Sequence, residues 1–336
     1  MPLIDPELLP FVDEVRAANA VTTAQMVESS AAFDPKGDFI AQLRSMMEPG
    51  GVFGQPLVDE AEERAIPGPA GEIPIRVFVP PTVDAVYLSI HGGAFMMGSR
   101  RSSDQVNWRI AQQCNVAVVS PEYRMAPEHG YPAGHDDCEA VAVWLLEHAA
   151  AELGSDRLLI GGESAGGHIA AVTVLRLRDR HDAADRLFGA NLNCGVYDIT
   201  GTPSRTLPPP ENDILAAAPG AGTNAITYFD SVDNLRDPDV SPLYAELRAL
   251  CPALFTVGTG DTLLDDSVFM AARWELAGNE TELAVYPHGP HGVTGSPTEM
   301  GRRAQARVED FLRAHAGASV GEPGIPARSE RPMVKA

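Results

Sequence analysis

Residues 158–168 read Leu158-Leu159-Ile160-Gly161-Gly162-Glu163-Ser164-Ala165-Gly166-Gly167-His168. A short apolar run of strand length enters a Gly-x-Ser-x-Gly turn, and a helix-like stretch from Gly167 to about Arg180 leaves it. A strand-to-helix turn this tight forces strained backbone angles on Ser164. It leaves no room for a Cβ two residues to either side, which accounts for Gly162 and Gly166. The serine hydroxyl is then exposed above the sheet at the positive end of a helix, where developing negative charge is stabilised.

Outward from this turn, strand-like and helix-like runs alternate. Ile73, Ile75, Val77 and Val79 alternate as in a half-buried strand. Short β-rich runs lie at Ala85–Ile90, Val116–Val119, Leu158–Ile160, Leu187–Cys194, Ala253–Val257 and Leu283–Tyr286. Helix candidates fall near 104–113, 136–148, 166–180, 267–277 and 298–315. Strands separated by helices pair in parallel through right-handed crossovers, so the expected fold class is α/β, a mostly parallel sheet with helices on both faces. Ahead of it, residues 1–50 read as a helical lobe. Asp5 caps a first helix with Leu8, Phe11, Val12 and Val15 on one face, and a second runs over Asp38–Met47. The main domain spans 51–316. Within it, 199–235 is rich in Pro, Gly, Ala and Asn and reads as an irregular excursion covering the site. The tail 317–336 has little to bury and reads as flexible.

A serine hydroxyl needs a base, and the base needs an orienting group. His291 follows the last strand-like run, and Asp261 follows the one before. Both loops lie at the carboxyl ends of strands, the edge that also carries Ser164. Asp265 and Asp266 come where a helix begins and read as residues that cap it or favour its dipole. His288 and His291 form an H-x-x-H pair, but no carboxylate sits at ligand spacing and the segment is a Gly/Pro loop, so no metal site is expected. The stretch His91-Gly92-Gly93-Ala94-Phe95 follows another strand. Consecutive glycines there let backbone N–H groups converge on one point, and together with the N–H of Ala165 they would hold an oxyanion.

The chain resembles the hormone-sensitive-lipase-like branch of the α/β-hydrolases, the bacterial carboxylesterases in particular. The matching pieces are His91 to Phe95, Tyr123-Arg-Met-Ala-Pro-Glu-His129 with Tyr131-Pro-Ala133, Gly162 to Gly167, Ser241-Pro-Leu243, Asp261 to Asp266, and Tyr286 to Gly292. The resemblance implies an eight-stranded sheet, an N-terminal helical cap and a serine esterase working without a cofactor on short- to medium-chain carboxylic esters. Carried over, Ser164 is the nucleophile, His291 the base and Asp261 the acid. Gly92, Gly93, Ala94 and Ala165 form the oxyanion hole, and His91 braces its loop. Phe95, Met96, Met97 and Tyr228 are candidate pocket walls. Three positions depart from the family. Ala94 stands where a third glycine is common, Glu163 where Asp is common, and Val293 where an aromatic residue would narrow the pocket. A lactonase, amidase or acyltransferase would use the same triad, and a non-catalytic ligand-binding relative would share the fold.

Composition narrows the classes. Lys and Arg number 25 against 46 Asp and Glu, a formal net charge of −21. That balance argues against a nucleic-acid partner and against an anionic membrane surface. No apolar run is long enough for an integral membrane span. The opening residues MPLIDPELLP show no secretory pattern, so a cytoplasmic location is expected. Cys114, Cys138, Cys194 and Cys251 lack paired spacing and read as reduced, buried thiols. Relatives are often homodimers, and no sequence patch discriminates that state.

Overall fold

The computed structural model describes residues 3–34, 36–48, 50–51, 54–211, 213–218 and 227–317. The tail beyond Gly317 and parts of the 199–235 stretch (212 and 219–226) lie outside the described residues. Eight strands form one sheet: β1 (Glu62–Gly68), β2 (Gly71–Phe78), β3 (Ala85–Ile90), β4 (Val116–Pro121), β5 (Leu158–Glu163), β6 (Leu187–Asn193), β7 (Ala253–Gly258) and β8 (Thr281–Tyr286), in the order β1-β2-β4-β3-β5-β6-β7-β8. β2 runs antiparallel to both β1 and β4, and the pairings from β4 to β8 are parallel.

The main helices are α1 (Val12–Ala31), α2 (Phe39–Ser45), α3 (Asp104–Cys114), α4 (Ala133–Leu153), α5 (Ala165–His181), α6 (Leu264–Leu276) and α7 (Glu299–Ala316). Central strands divide their side chains between two cores by period-two alternation. Val86, Leu88 and Ile90 of β3 join residues of α4, α5 and α6, whereas Ala85 and Tyr87 face α3 and α7. Helix α5 is buried from Ala165 to Leu177. A Cβ on Gly166 would run into the carbonyls of Ile90 and His91, so glycine is what lets the helix start against the end of β3.

Two elements differ from the sequence expectation. β1 was not anticipated: Glu62, Glu63 and Arg64 are charged and Pro67 interrupts the pattern, features that suit a sheet edge and obscure the strand in sequence. Helix α1 is longer than its apolar face suggested, running to Ala31 and burying Val15, Asn19 and Met26. Ahead of it Pro6–Phe11 form a 3₁₀ turn capped by Asp5, and Ile4 bridges to Val285 of β8. Helix α2 starts at Phe39 because the Asp38 carboxylate accepts the Ala41 N–H at 3.1 Å. All four cysteines are buried free thiols. Among the described residues no helix is long and apolar enough to cross a membrane.

Candidate active site

The serine turn is strained as its glycines require. Ser164 has φ 58° and ψ −120° between β5 and α5, a conformation rare for a residue with a side chain. Two backbone bonds hold it there: its N–H donates to Asn193 O at 2.9 Å, and its carbonyl accepts the His168 N–H at 3.0 Å. Gly92 lies against this turn. A Cβ there would sit 2.9 Å from Glu163 O and 3.4 Å from the Ser164 Cβ.

The loop from His91 to Met97 is held through the carbonyls of His91, Gly92, Gly93, Phe95 and Met96 and through the amides of Met96 and Met97. Gly93, Ala94 and Phe95 take φ of 121°, 53° and 62° in succession. Gly93 must be glycine, since a Cβ would collide with the Met97 carbonyl. His91 Nδ1 donates to Gly92 O at 2.7 Å and its ring stacks on Tyr123, whose hydroxyl donates to His91 O at 3.0 Å. Burial keeps the His91 pKa below the ordinary imidazole value, so the ring is a neutral Nδ1–H donor. Gly93 O accepts from Met96 N and Met97 N, Phe95 O from Ala126 N, and Met96 O from Arg44 Nε. Among the described residues the N–H groups of Gly93 and Ala94 have no protein acceptor. Ala165, first in α5, has no intrahelical acceptor either. The alanine at 94 therefore keeps a backbone donor.

Across the sheet edge, His291 Nδ1 meets Asp261 Oδ2 at 2.9 Å. The other Asp261 oxygen accepts the Leu263 N–H at 2.8 Å, and the carboxylate is buried. Gly292, at φ 68°, faces the Glu163 carboxylate, so the residue after the histidine touches the residue before the serine. Asn193 Nδ2 joins the two loops by donating to Glu163 Oε2 at 3.1 Å and to Thr294 Oγ1 at 2.8 Å. Glu163 thus braces the histidine loop, and burial with Asp261 nearby raises its pKa. Cys194 completes the cluster. Donor atoms of Cys194, Asp261 and His291 lie within 4.8 Å of one another. Burial lowers the imidazole's affinity for a proton, but Cys194 and Asp261 more than offset this and hold its pKa well above the ordinary value. Burial in turn raises the thiol. The direct Asp261–His291 hydrogen bond gives an imidazole whose tautomer and orientation a buried carboxylate can hold, the geometry a general base requires. His288 is outside it: its N–H donates to Thr259 Oγ1 and its carbonyl accepts from Asn19.

Residues 87–295, more than half of the chain, match a family model described as alpha/beta hydrolase fold. The chain is an α/β-hydrolase. Within that family it is 32% identical to the carboxylic ester hydrolase LipN of Mycobacterium tuberculosis, over 82% of this chain and 75% of that one. It is 31% identical to an ethyl acetate hydrolase of Pseudomonas putida, over 72% and 79% of the two chains. A solved esterase from the bacterial hormone-sensitive lipase family superposes with a TM-score of 0.72 at 27% identity, covering 90% of this hydrolase and 99% of that chain. The hyperthermophilic esterase of Pyrobaculum calidifontis gives 0.74 at 26% identity, with 94% and 99% covered. The hydrolase belongs to the hormone-sensitive-lipase-like branch.

Several placements in this hydrolase depart from expectation. Phe95 and Tyr228 are fully buried and stacked at 4.9 Å in an aromatic cluster with His135, His168 and Phe229, and Met96 is also buried. Met97 alone of the four pocket candidates is half-buried. Val293 does not widen a pocket, because it fills the core beneath α7 with Met300 and Ala304. Asp265 and Asp266 stand in the first turn of α6, as expected for residues that favour its dipole, but they do not cap it, and its N-cap Leu263 has no side-chain bond. Their carboxylates reach back to 197–204. Asp266 accepts from Tyr197 N, Asp198 N and Thr202 Oγ1, and Asp265 from Ser204 N. Cys194 and Asn193 were missed as site residues. The available signal was position, since both lie at the carboxyl end of β6 on the edge that carries Ser164.

Proposed function

We propose that the protein hydrolyses short- to medium-chain carboxylic esters through an acyl-enzyme on Ser164. His291 takes the Ser164 proton as the hydroxyl attacks the ester carbonyl, and Asp261 holds the Nδ1–H tautomer. The amides of Gly93, Ala94 and Ala165, with Gly92 shaping the turn, receive the oxyanion. The protonated His291 gives its proton to the departing alcohol. Water, deprotonated by His291, then attacks the acyl-enzyme; the tetrahedral adduct collapses, Ser164 regains its proton and the acid leaves. The observation that carries this reading is the 2.9 Å Asp261–His291 pair at the sheet edge that also holds the strained serine. The curated relatives, one of them an ethyl acetate hydrolase, support a small ester. Residues 1–50 and the 199–235 stretch act as the covering over this site, with Met97 on the pocket side. The protein works in the cytoplasm, and no nucleic acid or metal takes part.

The test is labelling by a fluorophosphonate together with a panel of p-nitrophenyl esters, lactones and amides. Rapid labelling of the native protein, its loss in Ser164→Ala, and turnover fastest on short-chain esters are expected. A native protein that is neither labelled nor active on any panel member is a binding relative. Turnover confined to lactones or amides reassigns the substrate class.

A further inference from the structure

We propose that Arg44, on the N-terminal helix α2, is a positioning residue for the oxyanion loop, holding the amides of Gly93 and Ala94 in register from outside the site; this rests on the ester-hydrolase reading above. The guanidinium makes contacts in three directions. Nε donates to Met96 O at 2.9 Å, Nη2 donates to Ala126 O at 3.0 Å, and Nη1 and Nη2 together grip the Glu128 carboxylate at 2.8 and 2.7 Å. Ala126 in turn donates its N–H to Phe95 O at 2.9 Å. Consecutive carbonyls of the loop, Phe95 O and Met96 O, are thereby tied to one another through Ala126 and Arg44.

This closure matters because of what precedes it. Gly93, Ala94 and Phe95 hold three successive positive φ angles, two of them on residues with a Cβ. Such a run persists only where the surroundings over-determine it. Met96 N and Met97 N both donate to Gly93 O, so the position of Met96 sets the plane of the Gly93–Ala94 peptide. Phe95 anchors the loop below, in its aromatic cluster. Of the loop carbonyls with a partner, His91, Gly92, Gly93 and Phe95 are held by Tyr123, His91, Met96 with Met97, and Ala126; among the described residues only Met96 is held from the N-terminal lobe. Arg44 suits this task because its planar fork can address two carbonyls and a carboxylate at once, which an ammonium on a flexible stem cannot do. Glu128 fixes the orientation of the fork.

The experiment compares native protein with Arg44→Met, Arg44→Lys and Glu128→Gln in three readouts: kcat and KM on a short ester, affinity for a boronic acid that forms a tetrahedral adduct, and thermal melting. In Arg44→Met and Arg44→Lys, kcat is expected to fall about 10–100-fold, as for a misplacement of about 1 Å at the reacting centre. KM should stay within about threefold, and boronate affinity should fall in step with kcat/KM. Glu128→Gln keeps one acceptor but loses the two-point grip on the fork, so its kcat should fall less than in Arg44→Met, between that variant and native. Unchanged kcat and boronate affinity in Arg44→Met overturn the proposal. So does a loss of activity matched by a collapse of melting temperature, or full rescue by Arg44→Lys. A native protein that neither turns over ester nor binds boronate overturns the functional reading, and this proposal with it.

Discussion

Asp261 holds one ring nitrogen of His291, and the Cys194 thiol lies in the same buried cluster. Acylation needs the neutral imidazole, because only that form can accept the serine proton. A pKa held above the ordinary value keeps the ring protonated to higher pH, so the rising limb of kcat/KM against pH should lie above the imidazole reference of about 6.5. Cys194→Ala removes one of the groups that favour the protonated ring. It should move the midpoint toward lower pH and leave the plateau within about threefold. A pH–rate profile of both proteins checks this, and a native midpoint at or below the reference would contradict it.

The segment leading into α6 shows how three neighbouring aspartates divide their work. Asp261 faces His291, whereas Asp265 and Asp266 stitch α6 to the 197–204 segment. Asp261→Asn should fold normally and lose up to about four orders of magnitude in kcat, because the imidazole takes the wrong tautomer. Asp266→Ala leaves two buried amides and a threonine hydroxyl without their acceptor, at about 1–3 kcal/mol. Asp266→Asn keeps one acceptor oxygen and should melt closer to native, with kcat of both Asp266 variants within about tenfold. Steady-state kinetics and melting on the three purified variants decide the assignment. A dead Asp266→Asn beside an active Asp261→Asn would reverse it. Chain position placed all three aspartates near one strand end. It favoured Asp261, the one nearest the strand end, for the histidine, but could not say what Asp265 and Asp266 bind, because that depends on where 197–204 passes through space.

Across the whole molecule, a buried histidine pair links α4 and α5. His168 Nδ1 donates to Val196 O at 2.7 Å, and the two Nε2 atoms lie 3.0 Å apart. Tyr228 completes the chain at 3.1 Å from His135 Nδ1 and accepts the Gly134 N–H. With both rings neutral the line is satisfied, His135 Nε2–H donating to His168 Nε2 and the Tyr228 hydroxyl to His135 Nδ1. Burial lowers His168 to about 4 and His135 well below the ordinary value. The unfolded chain therefore binds more protons than the fold between about pH 6.5 and 4. The pair's stabilisation is fully present above about 6.5 and is lost as pH falls toward 4, on the order of a few kcal/mol. Asp266, raised to about 6 chiefly by burial, acts in the opposite sense, its contribution declining as pH rises from about 4 to 6. Comparing native protein with His168→Asn isolates the histidine contribution. Denaturant unfolding from pH 7.5 to 4 should give the native protein the steeper acid loss, and parallel curves would remove the pair from the account.

The alternation of Val86, Leu88 and Ile90, the glycines around Ser164 and the order of Ser164, Asp261 and His291 are local features, so the main sheet and the three candidate catalytic residues could be read along the chain. Each depends on period, turn sterics or position at a strand end, and none needs a distant partner to be recognised. Edge strand β1 was hidden because an edge tolerates charge and proline. Cys194 beside His291, Asn193 between two loops and Arg44 on Met96 are contacts between segments far apart in sequence. Only the packed fold brings them together, because a cysteine, an asparagine or an exposed-looking arginine carries no periodicity that points to its partner.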